Sequence, residues 1–118
     1  MWLFCKSGFF SAVAHETKPD TIHLRARFEG DLERLFKANG IKSKVAYTPQ
    51  NDYAYRANVS KAQWAAIVAK EAEGIDYTNF KNKVHDGTAR DGAYMDAWLA
   101  MRQGQTRQRY RPWNPKGA

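Results

Sequence analysis

Residues 21–28, TIHLRARF, alternate strictly between apolar and polar side chains. A β-strand points successive side chains to opposite faces, so this pattern is typical of a strand with one buried face and one polar face. Ile22, Leu24, Ala26 and Phe28 form the apolar side. The chain therefore contains a strand of a two-faced sheet, whose apolar side needs a covering layer.

Four further strands are predicted from runs of β-prone residues separated by turn residues. The turn between the first two contains Gly8, since a tight hairpin turn needs a positive φ. Pro49 interrupts the pairing between the last two. The five predicted strands cover residues 2–4, 9–15, 21–28, 44–47 and 53–59.

Three helices are predicted between and after these strands. The first covers residues 31–39, and two capping boxes, Ser60 with Gln63 and Thr88 with Asp91, mark the starts of the other two. Each helix carries an apolar stripe that favours packing on a sheet. The stripes are Leu32, Leu35 and Phe36, then Trp64, Val68, Ala72 and Ile75, then Tyr94, Ala97, Trp98 and Met101.

The element order β-β-β-α-β-β-α-α predicts an α+β fold. Helices would cover one face of a five-stranded antiparallel sheet and leave the other face open. A chain of 118 residues has room for one such core. We expect a single domain over residues 1–102 and a flexible basic C-terminal tail, 103–118, that begins near Gly104.

The charge of the protein is concentrated at its C-terminal end. Residues 102–118 hold five Lys or Arg and no acid, and removing these five from the net charge of +7 leaves +2 for residues 1–101. Guanidinium groups bind phosphate, and aromatic side chains stack on unpaired bases. The tail residues expected to bind nucleic acid are Arg107, Arg109, Tyr110, Arg111 and Trp113. The alternatives are docking through Trp113 onto its own domain or onto a neighbouring protein, and an inert solubilising tail.

A second basic group follows from the alternating strand. His23, Arg25 and Arg27 share its polar side, and Arg56 on a neighbouring strand would extend the group. The alternative interpretation is ordinary surface polarity, with the arginines in weak ion pairs.

Histidine and cysteine usage indicates little chemistry. His15 and His23 could meet across adjacent strands as a general acid and base, although isolated histidines on a sheet are more often polar surface. We predict no catalytic residue, no cofactor and no metal site, since His15 and Glu16 lack a third ligand. Cys5, the one cysteine, is expected to be a small buried hydrophobe in a reducing compartment. With no apolar run long enough to span a bilayer, we expect a cytoplasmic protein without membrane partners.

Several short motifs resemble those of a group of small uncharacterised proteins from bacteria and their phages. The resemblance covers about residues 1–101 and implies a phage or mobile-element setting without implying an activity or site residues. It is carried by the pattern MWxF, GFxSAVxH, RAR, DLxxL, YxYR and IDYxNFK.

The sequence thus predicts a non-enzymatic accessory protein that binds nucleic acid, RNA or a ribonucleoprotein complex, through its C-terminal arm. One alternative is a phage-type anti-defence or inhibitor protein that acts by protein–protein contact or by sequestering a nucleotide. A further alternative is a small phosphodiesterase-like hydrolase that uses His15 and His23.

Overall fold

The structure, a computed structural model, describes residues 1–108 and 114–116. The expected order of strands and helices is confirmed, with one additional short helix before the last. The elements are β1 (Trp2–Cys5), β2 (Gly8–Ala14), β3 (Thr21–Ala26), α1 (Asp31–Ala38), β4 (Ala46–Tyr47), β5 (Tyr55–Ser60), α2 (Lys61–Glu73), α3 (Phe80–Val84) and α4 (Ala89–Gln108).

All five strands form one antiparallel sheet in the order β1-β2-β3-β5-β4. The predicted alternation is confirmed within β3, since Leu24 and Ala26 are fully buried while Arg25 is only half-buried. The predicted end of the strand was wrong, because β3 ends at Ala26 and Arg27 and Phe28 lie beyond it. Leu24 pairs with Ala12 of β2 and Ala57 of β5, so this apolar side continues across three strands. Together with α1 and α2 it forms the hydrophobic core.

Gly8 makes the predicted turn between β1 and β2 possible. Its φ is +146°, which L-residues rarely adopt, and a Cβ there would lie 2.7 Å from Oδ2 of Asp31. Asp31 is the buried first residue of α1. The hairpin turn therefore fits tightly against the start of α1, where no side chain larger than hydrogen has room.

The capping box at the start of α2 is also confirmed. The Gln63 N–H donates to Ser60 Oγ at 3.0 Å, and the Ser60 N–H donates to Gln63 Oε1 at 2.9 Å. The predicted stripe of this helix was partly wrong. Trp64 and Ile67 are buried, whereas Ala72 is exposed and Ile75 lies beyond the last helical residue.

The chain divides into two compact units, Met1–Thr78 and Asn79–Ala118. The second unit contains α3 and α4, and the ring of Phe80 stacks on that of Tyr94 with centroids 5.8 Å apart.

The predicted end of the last helix was wrong. Helix α4 continues through Gly104 to Gln108, so the expected boundary between domain and tail at residue 102 falls inside a helix. The neighbouring Arg and Gln residues favour helix, and the cost of one glycine, about 1 kcal/mol, does not outweigh them. The expected burial of the α4 stripe was wrong in part as well, because Tyr94 is buried while Trp98 and Met101 are exposed.

Candidate functional site

One row of side chains crosses four strands of the sheet. Trp2 pairs with Ser11, Ser11 with Arg25, and Arg25 with Arg56. Directly paired residues project from the same face, here the face opposite α1 and α2, which we call the outer face. At about 4.8 Å between strands, the row from Trp2 to Arg56 spans roughly 14 Å.

An aromatic cluster lies at one corner of the outer face. Phe4 stacks on Phe9 with centroids 4.5 Å apart, and Trp2 meets the same ring edge-on at 6.2 Å. Phe9 lies 6.4 Å from Tyr53, and both of these rings are buried. The two rings that contact Phe9 from β1 are exposed to solvent, Trp2 to 68% and Phe4 to 39%. Buried rings thus support exposed ones, which gives a firm apolar platform.

Two arginines share the ring of Tyr53. The guanidinium carbons of Arg25 and Arg27 lie 4.5 and 4.1 Å from its centroid. Arg25 donates from Nη2 to Ser11 Oγ at 2.9 Å, and Arg27 donates from Nη1 to the Asp52 carbonyl at 2.7 Å. Among the described residues, no carboxylate forms an ion pair with either arginine. Their charges are therefore held in place without being neutralised.

Arg56 is held by several contacts. Its Nε donates to the Tyr53 carbonyl at 3.1 Å, and its Nη2 lies 3.3 Å from Asp52 Oδ1. The Asp52 side chain is 67% exposed, so this ion pair is weak. The Nη1 of Arg56 lies 3.5 Å from Nε2 of His23. Arg56 is thus a cation whose one carboxylate partner among the described residues is solvent-exposed, and it lies beside Arg25 and His23.

The two histidines of this face do meet, as the sequence suggested, with ring centroids 6.1 Å apart. The backbone N–H groups of Thr17 and Lys18 both lie 3.1 Å from His15 Nδ1. A backbone N–H only donates, so this nitrogen accepts and the ring hydrogen of His15 lies on Nε2.

His23 has the opposite arrangement. Its Nδ1 lies 3.1 Å from Asn58 Oδ1, an acceptor, and its Nε2 faces the donating guanidinium of Arg56. Both contacts place the ring hydrogen on Nδ1 and a lone pair on Nε2. His15 therefore offers a donor and His23 an acceptor.

These side chains line a cleft of about 420 Å³ on the outer face. Its walls come from the end of β2 and the following loop on one side and from β3 and β5 on the other. The lining residues are Val13, Ala14, His15, Glu16, His23, Arg25 and Arg56.

Three of the predicted binding residues, Arg25, Arg27 and Arg56, lie together here. Arg107 is an exposed residue near the end of α4 in the second unit. The other four predicted tail residues, Arg109, Tyr110, Arg111 and Trp113, lie outside the described residues.

Sequence reasoning missed the aromatic cluster. The alternation of Trp2 and Phe4 with Leu3 and Cys5 was available as a signal. It was hidden because both sides of β1 are apolar, and a polar–apolar period cannot then separate the faces.

Cys5 is buried against the core, as predicted. Burial, followed by the negative charge of Glu71, raises the pKa of the Cys5 thiol to about 11. It is therefore protonated at neutral pH and does not act as a nucleophile.

Within residues 1–108 and 114–116, no group of three His, Cys, Asp or Glu side chains is arranged to hold a metal ion. In the same part of the chain, no helix combines the length and the apolar character that a membrane span requires. No protein-family model, curated protein or solved structure matches this chain.

Proposed function

We propose that this protein binds single-stranded nucleic acid, RNA in particular, on the outer face of its sheet, as a non-enzymatic accessory protein. The observation that carries the proposal is the row Trp2–Ser11–Arg25–Arg56, with the exposed ring of Trp2 at one end and two guanidinium groups at the other. Rings stack on bases and guanidinium groups bind phosphates, so this row fits both parts of a nucleotide.

Trp2 is the principal stacking group in this proposal. Stacking a base on an aromatic side chain contributes about 1–3 kcal/mol, and any base serves. Trp2 is exposed and rests against Phe9, so a base can approach without rearrangement of the core. This arrangement favours binding with little sequence preference.

The arginines supply the electrostatic part. Arg25 and Arg27 lack a carboxylate partner among the described residues, and the partner of Arg56 is solvent-exposed. A phosphate contact would therefore release counterions without breaking a strong internal ion pair. Affinity should fall steeply with salt.

The C-terminal arm adds charge to the same function in this proposal. Arg107 would contribute from α4, and Arg109, Tyr110, Arg111 and Trp113 would contribute phosphate and stacking contacts beyond it. In this proposal the protein binds cellular RNA or a ribonucleoprotein complex in the cytoplasm.

The histidine geometry favours binding over acid–base catalysis. The N–H groups of Thr17 and Lys18 donate to Nδ1 of His15, and the guanidinium of Arg56 faces Nε2 of His23. Both rings are thus engaged by neighbouring groups, and His15 still offers a hydrogen-bond donor, which suits the binding of a ligand oxygen.

The test is fluorescence anisotropy with a 12-nucleotide oligouridylate at low salt. Trp2→Ala should weaken binding roughly tenfold, equivalent to about 1.4 kcal/mol. Trp98→Ala is the matched control, since it removes an exposed tryptophan from the second unit. Equal affinity of the two variants would refute the stacking role.

The charge contribution has its own matched pair. Arg25→Gln with Arg56→Gln should weaken binding and flatten its salt dependence. Lys37→Gln with Lys61→Gln is the matched control, since it removes the same charge from exposed positions on α1 and α2, the helices opposite the outer face. A chain ending at Gln108 measures the arm while leaving α4 intact. If the wild type binds no oligonucleotide, the proposal fails, and the phage-type inhibitor that acts on a protein becomes the better hypothesis.

A further inference from the structure

We propose that the cleft lined by His15, His23, Arg25 and Arg56 is a subsite for the terminal phosphomonoester of a nucleotide strand. This inference rests on the proposed function, because the strand would lie on the outer face. It adds a chemical preference: a strand ending in phosphate binds more tightly than one ending in a hydroxyl.

The cleft and the aromatic cluster are consecutive along β2. Phe9, Ser11 and Val13 project onto the outer face at steps of two residues, which is about 6.7 Å per step. Phe9 belongs to the aromatic cluster, Ser11 to the row, and Val13 to the cleft. A base stacked on Trp2 or Phe4 therefore lies within about two nucleotide lengths of the cleft.

The charge of the cleft matches a monoester better than a diester. Arg25 and Arg56 occupy directly opposed positions on β3 and β5. A terminal phosphate carries about −1.5 to −2 at neutral pH, whereas an internal phosphodiester carries one charge. Two guanidinium groups side by side therefore attract a terminal phosphate more strongly than a singly charged diester.

The acids near the cleft leave this charge in place. Glu16 lines the cleft with an exposed side chain, and Asp52 pairs with the far Nη2 of Arg56. Neither forms an ion pair with Arg25. The Nε of Arg25 is itself buried without an acceptor among the described residues, so this arginine is short of partners as the protein stands.

His15 supplies a neutral donor. The loop N–H groups of Thr17 and Lys18 fix its Nδ1 as an acceptor, which leaves Nε2–H for a ligand oxygen. His23 acts as a positioning residue. Its Nε2 accepts a hydrogen bond from Arg56 Nη1, and its Nδ1 donates one to Asn58 Oδ1. Donors thus reach the cleft from β3, β5 and the loop after β2, as suits a group with three terminal oxygens.

The cleft has room for such a group. Its volume of about 420 Å³ equals on the order of ten waters at about 30 Å³ each. A phosphate with its attached sugar fits in that space.

The test compares four oligouridylates in isothermal titration calorimetry. Three have the same length and carry a 5′-phosphate, a 3′-phosphate or hydroxyls at both ends. The fourth has hydroxyl ends and one more nucleotide, which controls for the added charge. We expect one phosphorylated strand to bind at least tenfold more tightly than both hydroxyl-ended strands, and that strand identifies which end is held.

His15→Asn is the decisive variant. Its amide oxygen can replace Nδ1 as acceptor for the Thr17 and Lys18 N–H groups, while the Nε2 donor is lost. We expect this variant to lose most of the preference for the phosphorylated strand. Lys37→Gln, which removes a charge from α1 on the opposite side of the sheet, should keep the preference in full.

The outcomes separate the two proposals. If all four strands bind equally, the phosphate subsite is wrong and binding to the outer face stands. If inorganic phosphate binds and His15→Asn abolishes that binding while no strand binds, the subsite stands and the proposed function falls. If the preference survives in His15→Asn and in Arg25→Gln with Arg56→Gln, the phosphate is held elsewhere and the assignment of this cleft is overturned.

Discussion

Arg25 and Arg56 lie directly opposite each other on β3 and β5, two positive side chains in one cross-strand pair. Like charges in that position destabilise a sheet. Tyr53 lies beside Arg25, and its carbonyl accepts from Arg56, so one residue holds both arginines in place. The protein thus maintains a repulsive pair that an anion would relieve.

We expect phosphate to stabilise the protein more than chloride does at equal ionic strength. A ligand that binds only the folded state adds about 1.4 kcal/mol at ten times its Kd, which is several degrees in Tm. Differential scanning fluorimetry measures this shift. Phosphate also stabilises proteins non-specifically. The relevant quantity is therefore the difference between the Tm shift of the wild type and that of the double variant Arg25→Gln with Arg56→Gln. No excess would mean that the pair does not hold phosphate.

Tyr53→Leu should destabilise the protein by about 2 kcal/mol, because two cation–π contacts and the contact with Phe9 are lost. Tyr53→Phe keeps the ring and should change stability by less than about 0.5 kcal/mol. Urea denaturation gives both values. Similar losses in the two variants would show that the hydroxyl, not the ring, is the important group.

Gly8→Ala should cost about 2 kcal/mol or more in unfolding free energy. It combines a strained positive φ with a Cβ 2.7 Å from Asp31 Oδ2. Gly104→Ala is the matched control, since nothing lies within 4 Å of a Cβ there. That substitution should add about 0.5–1 kcal/mol, because Gly104 is inside α4. Destabilisation by Gly104→Ala would argue against the helix at that position.

Stability should fall in alkaline solution because of Cys5. Its thiol pKa is about 11 in the folded protein against 9.0 for an ordinary thiol, so the unfolded chain releases this proton first. The contribution of the protonated Cys5 thiol to the free energy of unfolding is complete below pH 9 and is lost as the pH rises to about 11. It amounts to roughly 3 kcal/mol at about 1.4 kcal/mol per pKa unit.

Denaturation of the wild type and of Cys5→Ala between pH 8 and pH 11 checks this expectation, because other groups that titrate there contribute equally to both. The wild type should lose more stability than the variant over that interval. Parallel curves would show that burial does not perturb the thiol.

The sequence predicts this sheet well where one side of a strand is polar. In β3 the polar His23 and Arg25 alternate with the apolar Leu24, and the structure follows that period. In β1 the period gives no information, since Trp2 and Leu3 are both apolar, and only the register with β2 assigns Trp2 to the outer face. The sequence therefore predicted the basic part of the candidate site, and it did not predict the aromatic part.

The helices show a second limit. In α2 the apolar residues are spaced so that more than one stripe can be drawn, and packing against the sheet selects Ile67 over Ala72. In α4 the single Gly104 does not end the helix, because the residues around it support helix. The contacts of His15 with the loop after β2 depend on loop geometry, which no period encodes.

The alternation in β3 links the interior of the protein to its outer face. Leu24 faces the core while Arg25 faces outward, and each is fixed by pairing with both neighbouring strands. Insertion or deletion of one codon within this strand would exchange the two sets of side chains, so that arginine entered the core and leucine replaced it outside. Evolution can thus vary this segment by substitution, but a change in its length would disrupt the core and the outer face together.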